Sequence, residues 1–485
     1  MSSTFRSLSI RNYRIWFFGA FISNVGAWMQ ATTQNWVVLT ELTENNASAV
    51  GITMALQFGP QLLLVPFSGA VADRLDRRKV LLVTQSLLML LAAGLGVLLV
   101  TGQAELWHLY SFALGLGVVN AFDATSRQAF VSDLVSNNQL SNAVALNSAS
   151  FNSARLVGPA VAGLLIAAIG SGWVFIINAA SFLAMLGALT MITTTHVRAD
   201  SSVKRESQLR QLSAGFRYVM ARRDILVIFV MVFLVGAFSM NFPVMSSTMA
   251  VEFGRGAADY GLLSSILAIG SLTGALLAAR RQAARMRVVI ISVGGLGIVS
   301  LLGAVMPTYW LFASTLVFFG LATSTMLTTA NGFVQTTSDP AVRGRVLALY
   351  MAILMGGTPI GAPLVGAAAD ALGPRSTFVI SGVAALIAFA IGMTWLISER
   401  QLRVRWDHGL QFTHAGRPNV GDDRGQQVET LTAPIDVLRR EPELEDPLKT
   451  HWDSAPQEGP PTTGVIPLPK PNIPRDDEES DGREG

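Results

Sequence analysis

The sequence contains no cysteine, which removes disulfides, thiolate metal sites and cysteine nucleophiles together and leaves the redox compartment open. Charge is scarce as well: 14% of the 485 residues are Asp, Glu, Lys or Arg, and histidine occurs five times. A soluble domain carries about 25% charged residues, so the shortage excludes an ordinary water-exposed fold. There is no metal-ligand cluster, nucleophile triad or phosphate loop, so neither an enzyme nor a bound cofactor or metal is expected.

Apolar mass takes the place of charge. Hydrophobic residues make up 51% of the chain and the mean hydropathy is +0.46, the balance of an integral membrane protein with lipid as its main partner. The formal net charge is only +3, and the basic residues stand between apolar runs. They read as topology signals and headgroup contacts, and nucleic acid is not an expected partner. The basic start runs directly into a long span without a small-residue cleavage site, so no removable signal peptide is expected.

One charged turn organises the first part of the chain: Gly69-Ala-Val-Ala-Asp73-Arg74-Leu-Asp76-Arg77-Arg78-Lys79. Six charges in seven positions cannot lie in hydrocarbon, so both flanking helices end here, at a water interface. The excess of cations places that interface on the cytoplasmic side. A solvated anchor loop would account for the basic residues alone.

Twelve apolar spans follow from the pattern, at about 13–39, 47–71, 80–100, 107–131, 142–168, 173–194, 224–250, 259–281, 287–306, 309–334, 345–370 and 375–397. The expected fold is all-α: a polytopic membrane protein of twelve transmembrane helices in two six-helix bundles. Its parts are a cytoplasmic arm (1–12), a first bundle (13–195), a basic cytoplasmic linker (196–223), a second bundle (224–398) and a largely disordered cytoplasmic tail (399–485) rich in Pro, Gly, Asp and Glu, with a possible short helix at 435–440. Arg280, Arg281, Arg285, Arg287, Arg343 and Arg345 fall in loops on the side of the charged turn, with Arg255 and Arg375 on the other. Both termini are therefore expected inside.

Polarity within the spans is concentrated in the first half. Asn24, Trp28, Gln30, Gln34 and Asn35 mark the first span, Gln57 and Gln61 the second, Asn120, Asp123 and Arg127 the fourth, and Asn147, Asn152 and Arg155 the fifth. Amides in mid-bilayer face a wet cavity or join helices to one another. Asp123 and Arg127, four apart, share a helix face and can pair; they neutralise each other at the inner mouth, or Asp123 takes up and releases a proton as the site opens and closes. Arg155, far from any basic loop, points to a polar interior. The third span reads as an apolar packing helix.

In the second half, Met240, Asn241 and Pro243 interrupt the seventh span, and Asn331 and Gln335 end the tenth. A pocket between halves would combine aromatic, methionine and amide side chains, which suits amphipathic organic molecules. The candidate cavity residues are Asn24, Trp28, Gln34, Gln57, Gln61, Asn120, Asn152, Met240, Asn241 and Asn331, with Asp123, Arg127 and Arg155 as the polar working group.

An internal repeat at an offset of 203 pairs Phe130 with Phe333, Gly158 with Gly361, Gly163 with Gly366, Gly170 with Gly373 and Phe175 with Phe378 without a gap. Two parallel halves related by an axis along the membrane normal would carry such a repeat.

Gly69, Asp73, Arg74, Arg77 and Arg78 resemble the loop between the second and third helices of the major facilitator superfamily, with Asp76 standing where the family has glycine. The resemblance implies that this turn is a gate latching the two halves. If the position requires φ > 0, Asp tolerates it. The run Gly158-Pro159-Ala-Val-Ala-Gly163 looks like the antiporter signature of the superfamily, with Ala154 and Ala162 in place of glycines. Trp28-Met29-Gln30, Arg127-Gln128-Ala129-Phe130, Asp133-Leu134-Val135 and Ala154-Arg155-Leu156-Val157-Gly158-Pro159 resemble the bacterial exporter branch, the transmembrane secretion effectors that include enterobactin exporters. The resemblance implies proton-driven efflux of small organic molecules (siderophores, secondary metabolites or drugs) across the bacterial inner membrane by alternating access. Uptake by the same fold, and a membrane sensor or scaffold acting through the tail, are the alternatives; any partner of the tail is unknown.

Overall fold

The computed structural model describes residues 3–193, 208–281, 283–400, 402–406 and 410–414. The first six long helices are α1 (Arg11–Thr40), α2 (Ala47–Arg74), α3 (Arg77–Val100), α4 (Leu106–Leu134), α5 (Asn137–Ile169) and α6 (Ser171–Met191). A shorter helix, α7 (Gln208–Ala221), leads into α8 (Arg223–Phe238) and α9 (Phe242–Glu252). The second half continues with α10 (Ala257–Ala279), α11 (Met286–Val305), α12 (Tyr309–Thr337), α13 (Arg343–Leu372) and α14 (Ser376–Arg400).

Ten spans among the described residues are long and apolar enough to cross a membrane, α8 and α9 counting together as one, Arg223–Glu252. The two long helices outside that set are α1 and α4, of 30 and 29 residues. At 1.5 Å per residue each is about 45 Å long, ample for a bilayer. Their apolar content is diluted by amides and by Asp123 and Arg127, and these polar groups face inward rather than toward lipid. With them the count is twelve.

Each half packs alike. In the first, α1 lies against α5 and α6, α2 against α4, and α3 against α4 and α6; in the second, α8 lies against α13 and α14, α10 against α12, and α11 against α12 and α14. The halves meet where α2 crosses α13 and α5 crosses α10. Lipid supplies no hydrophobic drive between helices, so close backbone contact has to do the joining. A Cβ on Gly163 would sit 2.5 Å from the Ala257 carbonyl oxygen, and Gly261 meets Pro159 across the same crossing. Gly366 lies on the backbone of Ala47, and Gly51 on that of Ala362. Gly163 and Gly366, equivalent in the sequence repeat, therefore form equivalent crossings.

The repeat is also written in the backbone. Gly170 and Gly373, the next glycine pair, both adopt positive φ, +89° and +87°, at the turns after α5 and α13. Phe175 and Phe378 are both buried.

Three local features differ from expectation. Asp76 has φ −63° and is the N-cap of α3, accepting from the Arg78 and Lys79 N–H groups at 2.9 and 3.3 Å. The departure from glycine thus supplies a helix cap rather than a left-handed turn. Within the expected linker, α7 is helical and packs against the start of α13, its Gly215 lying against Arg345 and Leu349. Beyond α14, β1 (Leu402–Trp406) and β2 (Leu410–His414) pair antiparallel, inside the segment read as an unstructured tail. This hairpin follows the last span and leaves the membrane domain all-α. The linker at 194–207, the tail beyond 414 and the short helix expected at 435–440 lie outside the described residues.

Candidate functional site

A cavity of about 780 Å³ is lined by α1, α2, α3, α4, α5 and α6. Its walls carry Asn24, Gln30 and Gln34 from α1, Gln57 from α2, Asn120, Asp123, Arg127 and Gln128 from α4, Asn147 and Asn152 from α5, and Asn178 from α6. It runs from mid-helix toward the arginine-rich end of the bundle, where Val131 and Val144 lie within about two turns of the ends of α4 and α5. The glycine crossings and the Trp36–Tyr260 stack, with centroids 5.7 Å apart, hold the halves together at the other end.

At the wall of this cavity lies a buried ion pair. Arg127 Nε and a terminal guanidinium nitrogen each stand 3.0 Å from Asp123 Oδ2. The other carboxylate oxygen accepts from Gln85 Nε2 at 2.7 Å and lies 2.8 Å from the Thr84 hydroxyl. Arg127 also donates to Asn24 Oδ1 at 3.3 Å. The Asp123 side chain is 5% exposed, so these donors replace the water a carboxylate would otherwise hold, and an ion pair in such a place survives only when its remaining hydrogen bonds are made. Thr84 and Gln85 come from α3, the span read as a packing helix. The signal for them was present: Gln85 is the one amide in an otherwise apolar run, and an intramembrane amide marks a buried partner.

Two further amide contacts line the cavity. Gln34 Nε2 donates to Gln57 Oε1 at 3.3 Å, and Asn178 donates to Gln30. Asn178 and Ser181 fill the space left beside Gly26, which fixes α6 on α1.

The structure thus brings Asn24, Gln34, Gln57, Asn120, Asp123, Arg127 and Asn152 together around one cavity. Trp28, Gln61, Arg155, Met240, Asn241 and Asn331 are not among its lining residues, and Met351 is the one lining residue from the second half among the described residues. The cavity is therefore walled by the first half rather than shared evenly. Asn241 sits in the break between α8 and α9, where its amide donates to the Ala237 carbonyl that the interruption frees. Asn331 accepts from Gln335 at 2.6 Å. Arg155 lies one turn beyond Phe151 on α5, its guanidinium carbon 5.8 Å from the centre of the Trp28 ring.

The charged turn makes specific contacts of its own. Arg77 donates to Asp133 Oδ1 at 2.7 Å and to the Ala72 and Ala129 carbonyls, while Arg78 donates to the Leu189 and Thr190 carbonyls at the end of α6. These bonds of Arg77 and Arg78 brace the first half internally. A Cβ at Gly69 would meet nothing within 4 Å.

Residues 2–406 match the family model described as transmembrane secretion effector. The chain belongs to that family, within the major facilitator superfamily. Transmembrane secretion effectors of this superfamily are polytopic transporters of small molecules, not enzymes. The chain is similar to the staphyloferrin A transporter of Staphylococcus aureus, with 27% identity over 82% of this chain and 99% of that one. It is similar to the enterobactin exporter EntS of Escherichia coli, with 24% identity over 76% and 88%. Among solved structures, the nucleoside transporter NupG superposes with a TM-score of 0.62 at 14% identity, covering 79% of this chain and 99% of that one. A bacterial homologue of the human lysosomal transporter Spinster, in an inward-facing and unoccupied conformation, gives 0.63 at 14% identity, covering 82% and 99%.

Proposed function

We propose that this transmembrane secretion effector exports a small amphipathic organic molecule across the bacterial inner membrane, coupled to proton entry. The arginine-rich end faces the cytoplasm, as the positive-inside bias requires. The conformation described is then open to the cytoplasm and closed to the outside, ready to load. Similarity to a siderophore transporter and a siderophore exporter favours a molecule of that size and polarity.

The observation that carries this reading is the Asp123–Arg127 pair at the cavity wall. In its present state Asp123 is fully engaged by Arg127, Gln85 and Thr84. A proton arriving at the carboxylate cancels its attraction for the guanidinium and weakens its hold on Thr84 and Gln85 of α3, which is how one proton can bias a two-state bundle. The test is substrate flux in everted membrane vesicles under an imposed pH gradient. Asp123→Asn should abolish gradient-driven transport while leaving downhill exchange of substrate. Undiminished gradient-driven transport in that variant would remove Asp123 from the coupling, and flux in the opposite sense would make the protein an uptake system.

A further inference from the structure

The strongly polar groups lining the cavity are balanced in charge: Asp123 and Arg127 cancel, and the remaining polar lining is amide and hydroxyl. Arg155 is not balanced. It is half-buried within the span, and no carboxylate among the described residues pairs with it. Its described contact is with the face of Trp28, which in turn meets Phe151 edge-on at 5.7 Å. Phe151 lines the cavity, as do Ser148 and Asn152 on the same face of α5. A turn of helix beyond Phe151 puts Arg155 beside the cavity wall, behind the Trp28–Phe151 pair and outside the present lining. Arg77, Arg127, Arg222, Arg255 and Arg375, by contrast, each lie within 4.0 Å of an Asp or Glu oxygen.

A half-buried guanidinium without a carboxylate partner inside a span is costly, and an anion that enters beside it recovers the missing interaction. Cation–π contact with Trp28 offsets part of this but leaves the guanidinium edge free to donate. The neighbouring aromatic pair offers flat apolar surface to a ring. We infer that Arg155, Trp28 and Phe151 form a subsite for an organic anion whose carboxylate, phenolate or sulfonate is attached to an aromatic ring. This rests on the cavity being the substrate path, and it names the substrate class that path selects.

The test uses two probes of nearly the same skeleton, anilinonaphthalene sulfonate and the neutral N-phenylnaphthylamine, titrated against purified full-length protein in nanodiscs and read by quenching of tryptophan emission. The wild type should bind the sulfonate about tenfold or more tightly than the neutral probe, the scale expected of a charge-assisted bond. Arg155→Gln should lose that preference with the neutral probe unaffected, which doubles as the check that the variant is folded; Arg155→Lys should keep part of it. A wild type indifferent to the sulfonate, or an Arg155→Gln protein that keeps the preference, would overturn the subsite. The readout is binding rather than flux, so loss of proton-driven export with the preference retained would count against the export reading alone.

Discussion

The carboxylate of Asp370, in the last turn of α13, caps the first turn of α2 at Ser48. It accepts from the Ala47 and Ser48 N–H groups at 2.7 and 2.8 Å and from the Ser48 hydroxyl. A carboxylate from one half thereby satisfies orphan donors, and meets the positive end of the helix dipole, in the other. Such a contact exists only while the halves are closed at that end. Asp370→Asn should weaken the closure by about 1 kcal/mol, shifting the two-state balance about fivefold toward opening. Because the protein has no cysteine, a thiol placed by Ala47→Cys is the sole target for a maleimide. It should react faster in the Asp370→Asn background, and an unchanged rate would remove the latch.

The glycine crossings set a second expectation. Gly163→Ala drives a methyl into the Ala257 carbonyl and Gly366→Ala drives one into that of Ala47. Each should cost about 1–3 kcal/mol of the closed arrangement, as overpacking does, seen as a lower thermal midpoint or as faster labelling at Ala47→Cys. Gly295→Ala is the control: nothing lies within 4 Å of its Cβ position on α11. It should be neutral or raise stability by about 0.5–1 kcal/mol, the ordinary gain for Ala over Gly in a helix.

Among the described residues Arg77 makes three bonds where the Asp133 side chain makes one, since it also donates to the Ala72 and Ala129 carbonyls. Arg77→Ala should therefore lower the thermal midpoint more than Asp133→Ala. A double-mutant cycle should return a coupling of about 1 kcal/mol for this partly exposed pair. Equal losses in the two single variants would mean that the carbonyl contacts contribute nothing.

Gln85 holds Asp123 from a helix that otherwise reads as packing. Gln85→Leu preserves volume but removes a donor from a buried carboxylate, a loss of about 1–3 kcal/mol. Transport should fall about tenfold or more with expression retained, whereas Gln61→Leu, outside the cavity lining, should leave it near wild type. Equal effects at both positions would contradict the assigned cavity.

Much of this architecture is legible because lipid simplifies the problem: every backbone group must be satisfied within a helix, so apolar run length places ten of the spans, and only α1 and α4, diluted by polar groups, need more. The break at Asn241 and the repeat glycines were equally visible, since Asn and Pro interrupt helices and Gly permits contact whatever the context. Which polar residues converge was harder. Asn24, Asp123 and Arg127 were evident as intramembrane polar groups, but Gln85 and Thr84 were submerged in an apolar run. Asp370 looked like an ordinary span boundary, because its role depends on α2, 322 residues away from it at Ser48. Helix α7 is hidden by its charges: the basic residues of the linker mark its side of the membrane, while its helical period, with buried Val219 beside exposed Phe216 and Met220, is the weaker signal.

The central claim is that the two halves rock about this cavity, and paired distances test it most directly. Spin labels at Leu75 and Gly344 report the arginine-rich end, where Leu75 is exposed and Gly344 has open space; labels at Glu44 and exposed Leu372 report the other. Pulsed dipolar spectroscopy on Leu75→Cys/Gly344→Cys and Glu44→Cys/Leu372→Cys proteins should show a long first distance and a short second one at rest. On acidification with substrate present the first should shorten as the second lengthens. Distances that stay fixed, or that change in the same sense at both ends, would contradict alternating access in this protein.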